Sequence, residues 1–105
     1  MEVKLFESFE EAKSVLSNLQ PRLVKANGRN ICVVRIDDNI KAFINECPHQ
    51  GASLHQGNLN YLHEIVCPLH SYRFDLRTGE AIAQSCKPLK FITVLTRGEQ
   101  ILLRL

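Results

Sequence analysis

No stretch of this 105-residue chain has more than a few apolar residues in succession, whereas a helix that crosses a bilayer needs about 20. No membrane span is expected. Charge of one sign is also lacking: thirteen Lys and Arg stand against eleven Asp and Glu, a formal net charge of +2, and the basic residues are dispersed. Nucleic acid is therefore not an expected partner. The start, Met1 to Glu7, is acidic and strand-like, without the basic and then apolar run of a secretory leader, so a cytoplasmic location is expected. Repeats, low-complexity tracts and linkers are missing. A length of 105 residues suits a single domain, 1–105, with one modest core and no second catalytic domain beside it. Apolar content of 45% and charged content of 23% exclude a disordered class.

What the chain does contain is concentrated between Cys47 and His70. Cys47-Pro48-His49-Gln50-Gly51 is followed, past a spacer, by Cys67-Pro68-Leu69-His70. Each arm offers one thiolate and one imidazole. Zinc modules usually place two cysteines together and then two histidines, so this mixed order fits a zinc tetrahedron poorly. It suits a binuclear centre with chemically different ends, because thiolate binds ferric iron well and neutral imidazole brings less negative charge. Two thiolates on one iron and two imidazoles on the other define a 2Fe-2S centre of Rieske type.

Both arms, and the run Cys67-Pro-Leu-His-Ser-Tyr-Arg-Phe-Asp-Leu-Arg-Thr-Gly79, resemble the Rieske-type ferredoxin family, which includes the small subunit of assimilatory nitrite reductase. The resemblance extends from the strand before the first arm to the C-terminus. It implies that Cys47 and Cys67 hold the inner iron and His49 and His70 the outer one, with one cluster per chain. It implies an all-β fold, an antiparallel sandwich or barrel with a small cluster-binding subdomain at about 46–89 and one short N-terminal helix. The loop Gln84 to Leu89, with Pro88, matches the family's proline loop, which shields the cluster's third side. An ordinary connecting loop is the alternative.

Local patterns supply the elements. Met1 to Phe6 reads as a strand, and Ser8-Phe-Glu-Glu11 has the spacing of a capping box. A helix is expected from Ser8 to Leu19, with Phe9, Ala12, Val15, Leu16 and Leu19 on one face and Pro21 as its stop. It departs from the family pattern and is read as a cover for the sheet. Leu23 to Ala26 and Ile31 to Ile36 flank Asn27-Gly28, a tight hairpin signal. A turn at Asp37 to Asn39 leads into a strand from Ile40 to Asn45 that delivers Cys47. Gly51 is expected to let the backbone bend beneath the cluster. Glu64 to Val66, Ser71 to Phe74, Glu80 to Ala83, Phe91 to Leu95 and Gln100 to Leu105 complete the strands. His55 and His63 lack a cysteine at ligand spacing and read as solvated or core-edge residues, His55 being close enough in sequence to sit near the cluster.

Cys32, inside an apolar strand, reads as a buried inert residue, and Cys86 falls in the proline loop. The disulfide that spans the cluster in high-potential members is not expected, since Ala52 and Leu69 occupy its sites. The serine and tyrosine that donate hydrogen bonds in those members are matched here by Tyr72 and Phe74. A potential in the lower part of the range of roughly −150 to +300 mV follows. The function implied is one-electron transfer from a flavin-dependent reductase to a terminal oxygenase. The alternatives are the small subunit of an NAD(P)H nitrite reductase, working with its large subunit, and a zinc-stapled interaction module.

Overall fold

The computed structural model describes residues 1–69, 71–83 and 85–105. Among the described residues nine strands, one helix and one 3-10 turn follow in chain order: β1 Glu2–Phe6, α1 Phe9–Val15, β2 Arg22–Ala26, β3 Arg29–Ile36, β4 Asn39–Ile44, the turn Leu54–Gln56, β5 Asn58–Leu59, β6 Glu64–Val66, β7 Arg73–Asp75, β8 Phe91–Arg97 and β9 Gln100–Arg104. They form an antiparallel six-stranded sheet, β1-β9-β8-β4-β3-β2, and an antiparallel three-stranded sheet, β5-β6-β7. The fold is the expected all-β one with a short helix. No helix of the described residues is long and apolar enough to cross a membrane.

Strand β3 shows why two cores form. Successive side chains point to opposite faces, and here both faces are apolar. Cys32, Val34 and Ile36 meet Phe43 of β4 and, from the small sheet and its loops, Leu54, Leu59, Ile65, Phe74 and Leu76. Ile31 and Val33 turn the other way, toward Ala42, Ile92, Ile101, Leu103, the helix residue Ala12 and Leu16 just past the helix. The large sheet is thus covered by the small sheet on one side and by α1 on the other. Both cysteines of the arms belong to the first of these cores.

The Asn27-Gly28 turn has φ of 52° and 73°, as a tight hairpin linking right-twisted strands requires. Register then runs without slip from β2 through β3 to β4: Leu23 faces Cys32, and Cys32 faces Phe43. Helix α1 is shorter than its pattern predicts. Ser8 Oγ accepts from the Glu11 amide at 3.1 Å as expected, but the Glu11 carboxylate takes the Glu7 amide at 3.1 Å, one residue outside the usual box. At the other end Leu16 is already extended, with ψ of 108°. Tertiary contacts replace the last turn: the Leu16 carbonyl accepts from Arg35 Nε at 2.8 Å, and the Leu19 amide donates to the Arg35 carbonyl at 2.8 Å. Val15 faces solvent. Glu80 to Ala83 is also not a strand, because only the bridge between Phe74 and Ala81 forms.

The turn after β7 is fixed by one carboxylate. Asp75 accepts from the Arg77 guanidinium, 3.0 Å at Nη2 and 3.3 Å at Nε, and from the Arg77 amide at 2.8 Å. The guanidinium bonds first, and the amide second, hold the Asp75 carboxyl below its ordinary value of 3.8. Folding therefore favours the ionised form; its contribution is present above pH 3.8 and is lost as pH falls through the lowered value. Arg77→Ala should move the Asp75 titration back toward 3.8, read by carboxyl-carbon NMR. Stability at neutral pH should change by less than about 1 kcal/mol, because the Arg77 guanidinium lies in water, which screens the pair. A midpoint that does not move would show that Arg77 is not the cause.

Candidate metal centre

Both arms are loops at strand ends, closed in the same way. In the first, β4 gives way to Asn45, and the Cys47 amide donates to the Ala52 carbonyl at 2.8 Å. In the second, β6 gives way to Cys67, whose amide donates to the Tyr72 carbonyl at 2.7 Å. Each cysteine amide thus reaches five residues ahead, with the cysteine at the foot of its arm. Inside the first loop the Gly51 amide returns to the Cys47 carbonyl at 2.8 Å, with Gly51 at φ of 75°. Positive φ at this position suits glycine best.

The base of the first arm is tied by a residue that the sequence reading passed over. Asn45, just past the end of β4, is 3% exposed. Its Oδ1 accepts from the His55 amide at 2.8 Å, and its Nδ2 lies 2.8 Å from His55 Nδ1. With Oδ1 committed, Nδ2 must donate, so His55 Nδ1 accepts and its proton sits on Nε2. The backbone adds Leu54 N to Asn45 O at 3.0 Å and Asn45 N to Asn30 O at 3.0 Å. His55 is accordingly a core-edge residue that clips the loop. Asn45→Ala would leave the His55 amide and ring nitrogen without these bonds. A loss of about 1–3 kcal/mol is expected in denaturant unfolding, with faster hydrogen exchange at His55. Unchanged exchange would show that the clip does not hold the arm.

The two arms meet. Cys47 and Cys67 are each 2% exposed and share one core cluster. Burial raises the Cys67 thiol; the Leu69 amide, which donates to its Sγ at 3.4 Å, opposes that, and the adjacent Cys47 raises it further. Two buried sulfurs this close resist joint ionisation unless a cation lies between them, which is the condition an iron supplies. The arms also meet through their rings: His49 of the first stacks on Tyr72 beyond the second, centroids 3.8 Å apart and planes 7° from parallel. His49 is half-buried with its Nδ1 inward. His70, the fourth predicted ligand, lies outside the described residues. Among the described residues no three or more His, Cys, Asp and Glu gather as a single-ion site.

The remaining cysteines behave differently. Cys32 is fully buried and its thiol is pushed up to about 12 by desolvation, as an inert core residue should be. Cys86 is half-buried; burial first, and the nearby Cys47 second, raise its thiol. A cavity of about 310 Å³ separates the first arm from Lys87, Pro88 and Lys90. Pro88 is exposed at its rim. His63 lines a separate hollow with Asp37 and Arg77.

A donor set of two buried thiols and an inward-turned imidazole fits an iron-sulfur group. Comparison with known proteins agrees. The ferredoxin component of the naphthalene 1,2-dioxygenase/salicylate 5-hydroxylase systems of Ralstonia sp is 42% identical over 66 residues, 63% of this chain and 60% of that protein. The carnitine monooxygenase oxygenase subunit of Acinetobacter baumannii is 38% identical over 63 residues, 59% of this chain, and the match spans only 17% of that longer subunit. The solved ferredoxin of carbazole 1,9a-dioxygenase from Nocardioides aromaticivorans IC177 superposes with a TM-score of 0.82 at 32% identity, covering 98% of this chain and 96% of that one. The family model for the Rieske [2Fe-2S] domain matches residues 9–93. That span runs from the first turn of α1 into β8 and takes in both arms, so the chain belongs to the Rieske [2Fe-2S] domain family and carries one such cluster.

Proposed function

We propose that the chain is a one-electron carrier in which Cys47 and Cys67 hold one iron and His49 and His70 the other. It would take electrons from a flavin-dependent reductase and deliver them to a terminal oxygenase in the cytoplasm. The observation that carries this reading is the burial of the Cys47 and Cys67 sulfurs against each other at the feet of two matched loops. Likeness to ferredoxin components of dioxygenase systems supports the choice of partners. Residues 1–105 form a single domain in this reading, with 46–89 as its cluster-bearing part.

The cluster supplies reversible storage of one electron, and the protein supplies its surroundings. Cys47 and Cys67 shelter their sulfurs in the apolar core, while the Leu69 amide donates to Cys67 Sγ and offsets negative charge there. Phe74, fully buried in the same core, has no hydroxyl to add a further bond, which favours a low potential. His49 stands at the edge of the core, held flat by Tyr72. An imidazole tolerates such a half-wet position, so electrons would pass through the histidine side.

Purified protein should be brown and contain iron and acid-labile sulfide in equal amounts. Reduced protein should show the rhombic electron paramagnetic resonance signal of a mixed-ligand cluster. With a flavin reductase it should support turnover of an oxygenase. Colourless protein holding a single zinc would end the carrier reading. Cluster-loaded protein that serves only a nitrite reductase large subunit would move it to the subunit alternative.

A further inference from the structure

The end of the molecule that bears the arms carries an uneven charge. The β2–β3 hairpin lies beside the first arm, because the Asn45 amide donates to the Asn30 carbonyl at 3.0 Å, and it brings the exposed Lys25 and Arg29. The start of β8 lies on the other side, where the Ile44 amide donates to the Lys90 carbonyl at 2.9 Å; Lys87 and Lys90, both exposed, face the first arm across the cavity. Among the described residues none of these four cations forms an ion pair. The anions near them are Glu46, which lines the same cavity, and Glu80, beside Cys86 and Pro88.

At the β1 and α1 end the balance differs, since Glu2 is matched by Arg97 and Arg104, Glu7 by Lys4 and Glu10 by Lys13. Of the seven described cations without an ion pair, four are thus near the arms, the others being Arg22, Arg35 and Lys41. Exposed Pro68 and Pro88, with Leu69 at 41% exposure, add a small apolar centre. An apolar centre with a charged rim is the anatomy of a transient protein interface.

We propose that Lys25, Arg29, Lys87 and Lys90 form a basic collar around the cluster-bearing end, and that this end docks a redox protein whose own contact surface is acidic. The inference rests on the carrier reading and adds the charge class of the partner. Complementary charge speeds encounter and fixes orientation more than it adds affinity. An acidic partner surface would be drawn to the histidine side, where the path between redox centres is shortest.

Charged one-electron oxidants read this field directly. In a stopped-flow experiment the reduced protein gives one electron to ferricyanide, yielding ferrocyanide, or to cobalt(III) tris-phenanthroline, yielding the cobalt(II) complex. The ferricyanide rate constant should fall as salt rises, and the cobalt rate constant should rise. At low salt Lys87→Glu and Lys90→Glu should each slow ferricyanide by about threefold or more, and Lys13→Glu on α1, with the same change in net charge, by much less. Retention on a cation exchanger, which needs no cluster chemistry, should fall in the same order. Equal effects of Lys13→Glu and Lys87→Glu, or a ferricyanide rate that rises with salt in cluster-loaded protein, would overturn the collar and leave the carrier reading standing. A wild-type chain that takes up no cluster would overturn both.

Discussion

Cys67→Ser should give a colourless protein without iron and with its large sheet still folded. Serine is close in size, but its alkoxide forms only at a far higher pH than thiolate, so the iron would lose one of the two thiolate donors of the proposed ligand set. The hydroxyl would sit at a position 2% exposed among Leu54, Ile65 and Phe74. A buried hydroxyl with incomplete hydrogen bonding costs about 1–3 kcal/mol, and the tie that the proposed ligation would make between the arms would be lost as well. The second core, under α1, contains no residue of either arm, so the far-ultraviolet signature of the sheet should persist.

Cys32→Ala serves as the comparison. That thiol is equally buried and lies outside the arms; a small cavity costing about 1 kcal/mol is expected, with the colour kept. Iron content and visible absorption decide the matter. Full cluster occupancy in Cys67→Ser would remove Cys67 from the ligand set, and loss of colour in Cys32→Ala would mean that stability, not ligation, governs uptake.

The sequence made the long strands and the arms legible because their signals are local. Asn27-Gly28 fixes one turn by backbone preference, and the β3 residues Ile31 to Val34 are apolar on both faces because they are covered on both. The cysteine arms declare themselves by spacing alone. What failed to show were features decided by distant partners. The helix pattern through Leu19 is cut at Val15 because Arg35 captures the carbonyl of Leu16 and the amide of Leu19. Glu80 to Ala83 has strand-like residues, yet its pairing with β7 stops at the Phe74–Ala81 bridge, closed by Asp75 N to Glu80 O at 2.9 Å and Ile82 N to Arg73 O at 2.8 Å. Asn45 offered a signal, an amide between the buried end of β4 and the first arm, but its partner His55 is ten residues on. The stacking of Tyr72 on His49 joins two arms whose relative placement no spacing specifies.

Gly57→Ala should be the most damaging single-carbon change in the chain, although Gly51 is the glycine that the motif points to. At Gly51, φ of 75° makes a side chain strained, but an added Cβ meets nothing within 4 Å. Alanine there should cost about 1–2 kcal/mol for the left-handed backbone and leave the arm able to close. At Gly57 the added carbon would lie 1.9 Å from the Val66 carbonyl oxygen and 3.2 Å from Pro68 Cδ. The obstacle is backbone and cannot turn aside as a flexible side chain would. Relief requires the turn at Leu54–Gln56 to move away from β6, which carries Cys67 at its end and pairs with β5 through Asn58 and Val66. Overpacking of this kind costs about 1–3 kcal/mol where side chains can yield, and more where they cannot. Thermal melts should therefore rank wild type above Gly51→Ala and Gly51→Ala well above Gly57→Ala, with the last also deficient in iron. A Gly57→Ala protein that melts with wild type and holds a full cluster would show that the strand beside Cys67 shifts freely, and that the second arm is not braced from behind.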